Sequence, residues 1–85
     1  MIDLNCFPNP ATNVLKINYN SKDFDKIFFE VIDVLGSIVL SYTDREISLS
    51  ESEFHEIDIS SLEKGLYFLS ARSTTNKQTI SFFVE

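Results

Sequence analysis

Residues 57 to 71 read IDISSLEKGLYFLSA, in which a polar turn separates two stretches rich in apolar residues. The first stretch alternates apolar with polar side chains, as a strand with one buried face does. Within the turn, the spacing of Leu62, Gly65 and Tyr67 is typical of a tyrosine corner. In that motif the tyrosine ring packs beneath the corner, and its hydroxyl group bonds backbone a few residues upstream. The stretch therefore predicts a link between the two sheets of a sandwich, with an ordinary strand tyrosine as the alternative.

The same period of two recurs along the chain in short segments rich in β-branched and aromatic residues. Seven candidate strands result: VLKINY (14–19), KIFFEVID (26–33), SIVLSY (37–42), REISLS (45–50), HEIDIS (55–60), LYFLSA (66–71) and TISFFV (79–84). No segment shows a sustained helical stripe, and the links are too short for the crossovers that parallel strands need. The sequence therefore predicts an all-β, antiparallel β-sandwich of about seven strands, with a small barrel as the competing architecture.

Glycine and proline mark the turns. Gly36 ends the segment DVLG, which predicts a tight turn with a positive φ angle at that residue. Both prolines lie in the segment FPNP, where Pro8 and Pro10 flank Asn9. Each ring fixes its own φ angle and removes a backbone donor, and each disfavours helical conformations of the residue before it. We therefore expect a stiff segment that directs the chain into the first strand.

The composition fits one compact domain. The 85 residues include eight Phe and three Tyr, enough to build an apolar core, and we expect a linker at residues 1 to 6 before a folded domain at residues 7 to 85. With 13 acidic and 7 basic residues, the formal net charge is −6. Such a balance argues against binding to nucleic acid or to an anionic membrane surface. Direct membrane insertion is not expected either, since no stretch approaches the roughly 20 apolar residues of a membrane span.

No set of residues predicts catalysis or a bound cofactor. Cys6 is the only cysteine and His55 the only histidine, so the sequence offers neither a disulfide nor a convincing pair of nucleophile and base. Four acidic residues fall in loop-like stretches: Asp23, Asp25, Glu51 and Glu53. Such loop acids are usually solvated, and the patterned aspartates of a calcium loop are missing, although a calcium site remains the alternative. The residues therefore predict a binding or structural module.

Three motifs, taken in order, resemble one family. FPNPATNVLKI (7–17) is similar to the opening pattern yPNPatd.l.i of the type A C-terminal sorting domains of the Bacteroidetes type IX secretion system, also called the Por secretion system. FFEVIDVLGSIVL (28–40) resembles the central block v.lyd..G..v of that family, and residues 57 to 71 resemble its signature idls.l..G.Yfl.i. The chain departs from the family at its end, where many members carry a basic residue. Here the last residue is Glu85, and we expect Lys77 in the preceding loop.

The resemblance implies a non-catalytic secretion signal carried by an immunoglobulin-like β-sandwich. Such a domain ends a cargo protein that reaches the periplasm with its own signal peptide, and the type IX machinery then moves the cargo across the outer membrane of a Gram-negative cell. A sortase-like peptidase usually removes the domain, and the cargo is retained at the cell surface or released. The implied partners are the secretion machinery, its peptidase and the covalently linked upstream cargo, with no cofactor.

The resemblance also indicates which residues carry the signal. We expect recognition of the last hairpin, in which residues 77 to 85 are read directly while Leu62, Gly65 and Tyr67 hold the fold. The full set of candidate recognition or signal residues is Pro8, Asn9, Pro10, Gly36, Leu62, Gly65, Tyr67, Lys77, Phe82 and Val84. Edge strands of an antiparallel sandwich expose unpaired backbone groups, which suit strand addition by a partner or an edge-strand dimer.

A different class of protein shares the predicted fold. A small immunoglobulin-like or fibronectin-like accessory domain would bind carbohydrate or protein beside a catalytic domain. Sugar-binding modules usually present an aromatic platform, for which the candidates here are Phe24, Phe28, Phe54 and Phe83, and tryptophan is absent. An enzyme is the least favoured interpretation, because the sequence shows no nucleophile, base or metal-binding set.

Overall fold

The structure, a computed structural model, describes residues 2–21, 27–43, 48–49, 55–73 and 76–85. Those residues form eight β-strands: β1 (Ile2–Phe7), β2 (Val14–Ser21), β3 (Phe28–Ile32), β4 (Ile38–Thr43), β5 (Ser48–Leu49), β6 (His55–Asp58), β7 (Gly65–Arg72) and β8 (Lys77–Val84). The described residues contain no helix, and so none with the length and hydropathy that a membrane crossing needs. The prediction of an all-β fold is confirmed.

The strands form two four-stranded sheets with the orders β1-β2-β6-β5 and β4-β3-β7-β8. Every strand pairing is antiparallel. When the strands are lettered in chain order, with β4 as an added C′ strand, the first sheet has the order A-B-E-D and the second the order C′-C-F-G of an immunoglobulin-type sandwich. The predicted immunoglobulin-like β-sandwich is thus confirmed. The small barrel, the competing prediction, is not the architecture of the two described sheets.

The core lies between the two sheets and follows the alternation in the sequence. Leu15 and Ile17 on β2, and Phe29 and Val31 on β3, are fully buried members of one apolar cluster. The other buried members of the cluster are Leu4, Ala11, Ile27, Ile57, Ile59, Tyr67, Leu69, Ala71, Phe82 and Val84. Full burial of a large apolar side chain contributes about 1.5–3 kcal/mol, so this cluster is the main source of stability.

The structure differs from the sequence prediction at the N-terminus. Residues 2 to 6, predicted as linker, belong to β1, which pairs with β2 along its whole length. Leu4 is buried in the core, and burial raises the pKa of the half-buried Cys6 thiol. The segment is thus paired and partly buried, which differs from the loose linker that the sequence predicts. The point at which the domain begins in its parent protein stays a prediction.

Several predicted features lie outside the described residues. These are the loop acids Asp23, Asp25, Glu51 and Glu53, the aromatic residues Phe24 and Phe54, and positions 45 to 47 and 50 of the fourth candidate strand. Of that strand only Ser48–Leu49 is described, as β5, and it pairs with β6. The backbone of His55 begins β6, as expected of a strand residue.

Candidate functional site

The candidate site is the terminal hairpin of β7 and β8, together with the segments that hold its ends. The two strands pair in continuous register, from Gly65 opposite Val84 to Arg72 opposite Lys77. β7 lies inside its sheet between β3 and β8, whereas β8 forms the edge of the sheet. Phe82 and Val84 of β8 point inward and are buried. The hairpin therefore contributes side chains to the core, and its second strand forms one edge of the sheet.

A tyrosine corner holds the start of β7. The Tyr67 hydroxyl donates a hydrogen bond to the backbone carbonyl of Glu63 at 2.7 Å. The Tyr67 ring is buried and stacks on Phe82 of β8, with 5.9 Å between the ring centroids. Leu62 packs half-buried against the core, and its N–H donates to the Ile59 carbonyl at 3.0 Å. The corner predicted from the sequence is present, and it joins β6 to β7 across the two sheets.

The turn that precedes the corner is anchored on both sides. The Asp58 Oδ1 accepts the N–H of Ser60 at 2.8 Å. Hydrogen bonds from the side chain and the backbone of Ser60 lower the pKa of the Asp58 carboxyl. The N–H of Ile59 donates to the carbonyl of Asn13 at 2.9 Å, which ties the turn to the start of β2. The corner therefore begins from a fixed backbone.

The two glycines serve different turns. Gly65 begins β7 with a φ angle of +150°, in a region that side chains rarely adopt. A Cβ atom at Gly65 would have no neighbour within 4 Å, so the backbone conformation rather than the space favours glycine there. Gly36 has a φ angle of +87° in the turn between β3 and β4, as the sequence predicts, and so lies apart from the hairpin.

Tyr67→Phe should destabilise the domain by about 1 kcal/mol, because it leaves the Glu63 carbonyl without its donor while the ring stays packed. Urea unfolding of the purified wild type and variant measures the difference. Tyr42→Phe is the matched control, since Tyr42 is a half-buried tyrosine of β4 that lies outside the corner. If both variants lost the same stability, the corner hydrogen bond would have no specific role.

The segment PNPA, residues 8 to 11, lies between β1 and β2 of the first sheet and contacts β8 of the second. β1 pairs with β2 as far as Phe7, and the two prolines follow, each after a cis peptide bond. Ala11 is fully buried and forms a parallel bridge to Val84 of β8. The prolines thus lie where the chain passes from β1 to its isolated bridge with β8, a position that suits residues without a backbone donor.

The PNPA segment covers part of the outer edge of β8. The Ala11 N–H donates to the Phe83 carbonyl, and the Ala11 carbonyl accepts the Glu85 N–H, each at 2.8 Å. The Asn9 Oδ1 accepts the Phe83 N–H at 2.9 Å, although the two residues are 74 positions apart in the chain. The outward backbone groups at the C-terminal end of β8 are therefore already bonded.

The rest of that edge is open. Residues of an antiparallel strand bond alternately to its two sides, and Phe83 bonds outward. The backbone groups of Lys77, Thr79 and Ser81 therefore also point away from β7, and all three side chains are exposed. No strand in the described part of the chain is hydrogen-bonded to β8 on this side. The hairpin thus offers a run of backbone donors and acceptors in an extended conformation.

Two residues with cationic side chains lie at the loop end of the hairpin. Lys77, which the sequence predicts in a loop, instead begins β8 and lies opposite Arg72. The Arg72 Nε lies 3.6 Å from the Glu30 Oε1, and its guanidinium carbon lies 4.8 Å from the centre of the Phe28 ring. Arg72 is therefore engaged within its own sheet. Lys77 is the cation of the hairpin that is available to a partner.

Asn9→Ala should loosen the C-terminal end of β8, because it removes the acceptor of the Phe83 N–H. A net loss of about 1 kcal/mol predicts roughly fivefold faster exchange of the Phe83 amide with solvent, while the Glu85 amide keeps its bond to Ala11. Hydrogen exchange followed by NMR measures both amides in one sample. Asn9→Asp retains an acceptor oxygen and should restore slow exchange. An unchanged Phe83 amide in the alanine variant would contradict the assigned hydrogen bond.

The structure collects most of the predicted recognition residues around the terminal hairpin. Pro8, Asn9 and Pro10 belong to the segment that meets Val84, while Leu62, Gly65, Tyr67 and Phe82 form the tyrosine corner and Lys77 begins β8. Gly36 belongs to the turn between β3 and β4 and not to the terminal hairpin or its corner. Sequence reasoning missed Ala11, for which the one local signal is a small residue after the second proline.

The chemistry of the site is that of an interface. Among the described residues, no group of three or more His, Cys, Asp or Glu side chains could hold a metal ion. What the hairpin offers is main-chain hydrogen bonding along β8, flanked by alternate exposed side chains and one exposed ammonium group. Those groups can bind an extended segment of another protein.

None of the curated proteins compared with the chain matches it. The chain does match the sequence profile of one family, described as a secretion system C-terminal sorting domain, over residues 5–85. That range includes the PNPA segment, the tyrosine corner and the whole terminal hairpin. It is also the family that the three sequence motifs resemble. The chain therefore belongs to the C-terminal sorting domains of the type IX secretion system.

Proposed function

We propose that the folded domain directs a covalently linked upstream cargo protein through the type IX machinery and across the outer membrane, without catalysing a reaction itself. Family membership gives the coarser statement, which is a C-terminal sorting signal for export to the cell surface or the medium. Two finer steps belong to the proposal. The machinery recognises the terminal hairpin, and a sortase-like peptidase later removes the domain.

One observation carries the proposal: among the described residues, none bonds the outer backbone of β8 at Lys77, Thr79 and Ser81, whereas Asn9 and Ala11 cover it near Phe83. A partner strand adds to such an edge through main-chain hydrogen bonds, while pockets read alternate side chains. Lys77 supplies a positive charge at the start of the open edge, in a chain whose net charge is −6. In this proposal Lys77 replaces the basic residue that many family members carry near their end.

β8 carries the proposed signal and also contributes side chains to the core. Phe82 and Val84 are buried between the sheets, whereas the alternate residues of β8 point out. The open edge therefore exists only in the folded sandwich, so a folding defect also removes the signal. We place the peptidase cleavage before β1, because proteases act on extended and unpaired segments, and Ile2–Phe7 is paired with β2.

A secretion assay tests the proposal. In a bacterium with a type IX secretion system, a periplasm-targeted reporter fused upstream of residues 1 to 85 should reach the cell surface or the medium. The reporter without the domain, and the fusion in a strain with inactivated type IX machinery, should both stay in the periplasm. Reporter activity in the three fractions measures export. Retention of a folded and stable wild-type fusion in the periplasm would contradict the proposed function.

The accessory-domain alternative gains no support from the described aromatic side chains. Phe28 is half-buried beneath the Arg72 guanidinium. Phe83 is exposed, but it lies on β8, which β7 separates from the strand of Phe28. Phe7 is the other exposed aromatic residue among the described ones, and it is not among the candidates for a platform. Of the candidate rings that the structure describes, Phe83 alone is exposed, so we retain the sorting signal as the proposed function.

A further inference from the structure

The turn between β3 and β4 exposes a cluster of apolar side chains that the proposed export signal does not use. Val34 and Leu35 are 65% and 86% exposed, and Ile38 and Val39 of β4 are 57% and 38% exposed. These four residues are among the seven large apolar residues that the described chain exposes, and they fall within six positions. β4 is an edge strand, so no described strand covers its outer side. An exposed apolar cluster of this kind usually marks an interaction site.

Hydrogen bonds hold the turn in one conformation. The Asp33 Oδ1 accepts the N–H groups of Leu35 at 3.0 Å and of Ser37 at 2.9 Å. The Asp33 N–H donates to the Ser37 carbonyl at 3.0 Å, and the Gly36 N–H donates to the Asp33 carbonyl at 3.1 Å. Because the backbone of the turn is already ordered, the turn loses little conformational entropy when a partner binds its apolar side chains.

An open groove of about 330 Å³ lies beside the turn. Its lining residues are Asp33, Val39, Ser61, Leu62, Glu63 and Tyr67. Two of these residues are apolar, Val39 and Leu62, two are acidic, Asp33 and Glu63, and none is cationic. The groove therefore joins the β3–β4 turn to the tyrosine corner and combines apolar surface with negative charge.

We propose that this turn and groove form a docking surface for a peptide segment of another protein that carries a large apolar side chain next to lysine or arginine. The apolar side chain fills the groove between Val39 and Leu62, and the basic side chain pairs with Asp33 or Glu63. Charge disfavours two other occupants, since a second copy of the chain carries a net charge of −6 and an anionic membrane is also repelled. The groove shares Leu62 and Tyr67 with the tyrosine corner but includes no residue of the open edge of β8, so this docking does not rest on recognition of that edge.

Selection of a random peptide library displayed on phage, with the folded chain as the target, tests the proposal. We expect enrichment of peptides with an aromatic or large aliphatic residue adjacent to Lys or Arg. The best synthetic peptide should shift amide NMR signals of residues 33 to 39 and 61 to 67. Val34→Ser combined with Leu35→Ser should bind that peptide at least about tenfold more weakly. Glu63→Gln should weaken binding and reduce its salt dependence.

Val14→Ser is the matched control, because Val14 is an exposed apolar residue on β2 in the other sheet, and it should bind like the wild type. Circular dichroism verifies that each variant is folded. Enrichment of acidic peptides, no enrichment at all, shifts elsewhere, or equal binding by the double variant would overturn the proposal. Sedimentation of the chain alone adds a second readout. A dimer that the double variant abolishes would assign the surface to a second copy and overturn the peptide assignment.

Discussion

Phe82→Ala should remove a large part of the stability of the domain. Phe82 is fully buried on β8 and stacks on Tyr67, so its truncation leaves a cavity beside the tyrosine corner. Such changes in a core cost about 3–5 kcal/mol, whereas whole domains are stable by only about 5–15 kcal/mol. Because small domains lose about 4–8 °C of Tm per kcal/mol, we expect the Tm to fall by more than about 12 °C. Thermal and urea unfolding followed by circular dichroism measure the loss.

Phe83→Ala is the matched control for that variant. Phe83 is the next residue of the same strand, but its ring points outward and is 54% exposed. The bonds of its backbone to Asn9 and Ala11 do not involve the ring. We therefore expect a loss of less than about 1 kcal/mol. Equal losses for the two variants would show that the inward face of β8 is wrongly assigned.

The tyrosine corner could be predicted because its parts lie close together in the sequence. An apolar anchor, a turn glycine and a tyrosine at fixed spacing need no information about distant residues. The same holds for the core faces of the strands. Alternation predicts that Leu15 and Ile17 share a buried face, as do Phe29 and Val31, and all four are fully buried.

β1 and the bridge from the PNPA segment to β8 could not be predicted in the same way. Ile2, Leu4 and Cys6 do alternate with polar residues, but those residues are Asp and Asn, which are poor strand formers. The two prolines that follow favour a boundary over a strand. The bridge from Ala11 to Val84 joins residues near opposite ends of the chain, so no local pattern indicates it.

Exposure at the sheet edges also depends on more than local sequence. The apolar run at residues 37 to 42 predicts a strand, and β4 forms there at Ile38–Thr43. Its first residues are nevertheless exposed, because β4 is the last strand of its sheet. Alternation likewise predicts the inward face of β8, but not that the PNPA segment covers one end of its outer edge.

Thr79→Pro should lower export of a reporter fusion by at least about tenfold while the sandwich stays folded. The Thr79 N–H points away from β7, so proline removes an outward donor without breaking a hydrogen bond between β7 and β8. A partner strand added at this edge loses that bond and also meets the proline ring. Gln78 is already in a strand, the conformation that a following proline favours.

Ser41→Pro is the matched control, on the other edge of the same sheet. Backbone groups of successive residues in an antiparallel strand bond to opposite sides of that strand. Following this rule from β8 through β7 and β3 to β4 places the Ser41 N–H on the side away from β3. Ser41 is exposed, as Thr79 is. Both prolines should therefore cost similar stability, which urea unfolding of the purified variants verifies. A difference in export between them then reflects the edge and not the fold.

The most direct measurement is the ratio of exported to periplasmic reporter for the Thr79→Pro fusion and for the Ser41→Pro fusion, in one strain with an active type IX system. We predict that the Ser41→Pro fusion is exported like the wild type, and that the ratio for the Thr79→Pro fusion falls at least about tenfold. Equal ratios for two folded variants would contradict the claim that the secretion machinery reads the open edge of β8.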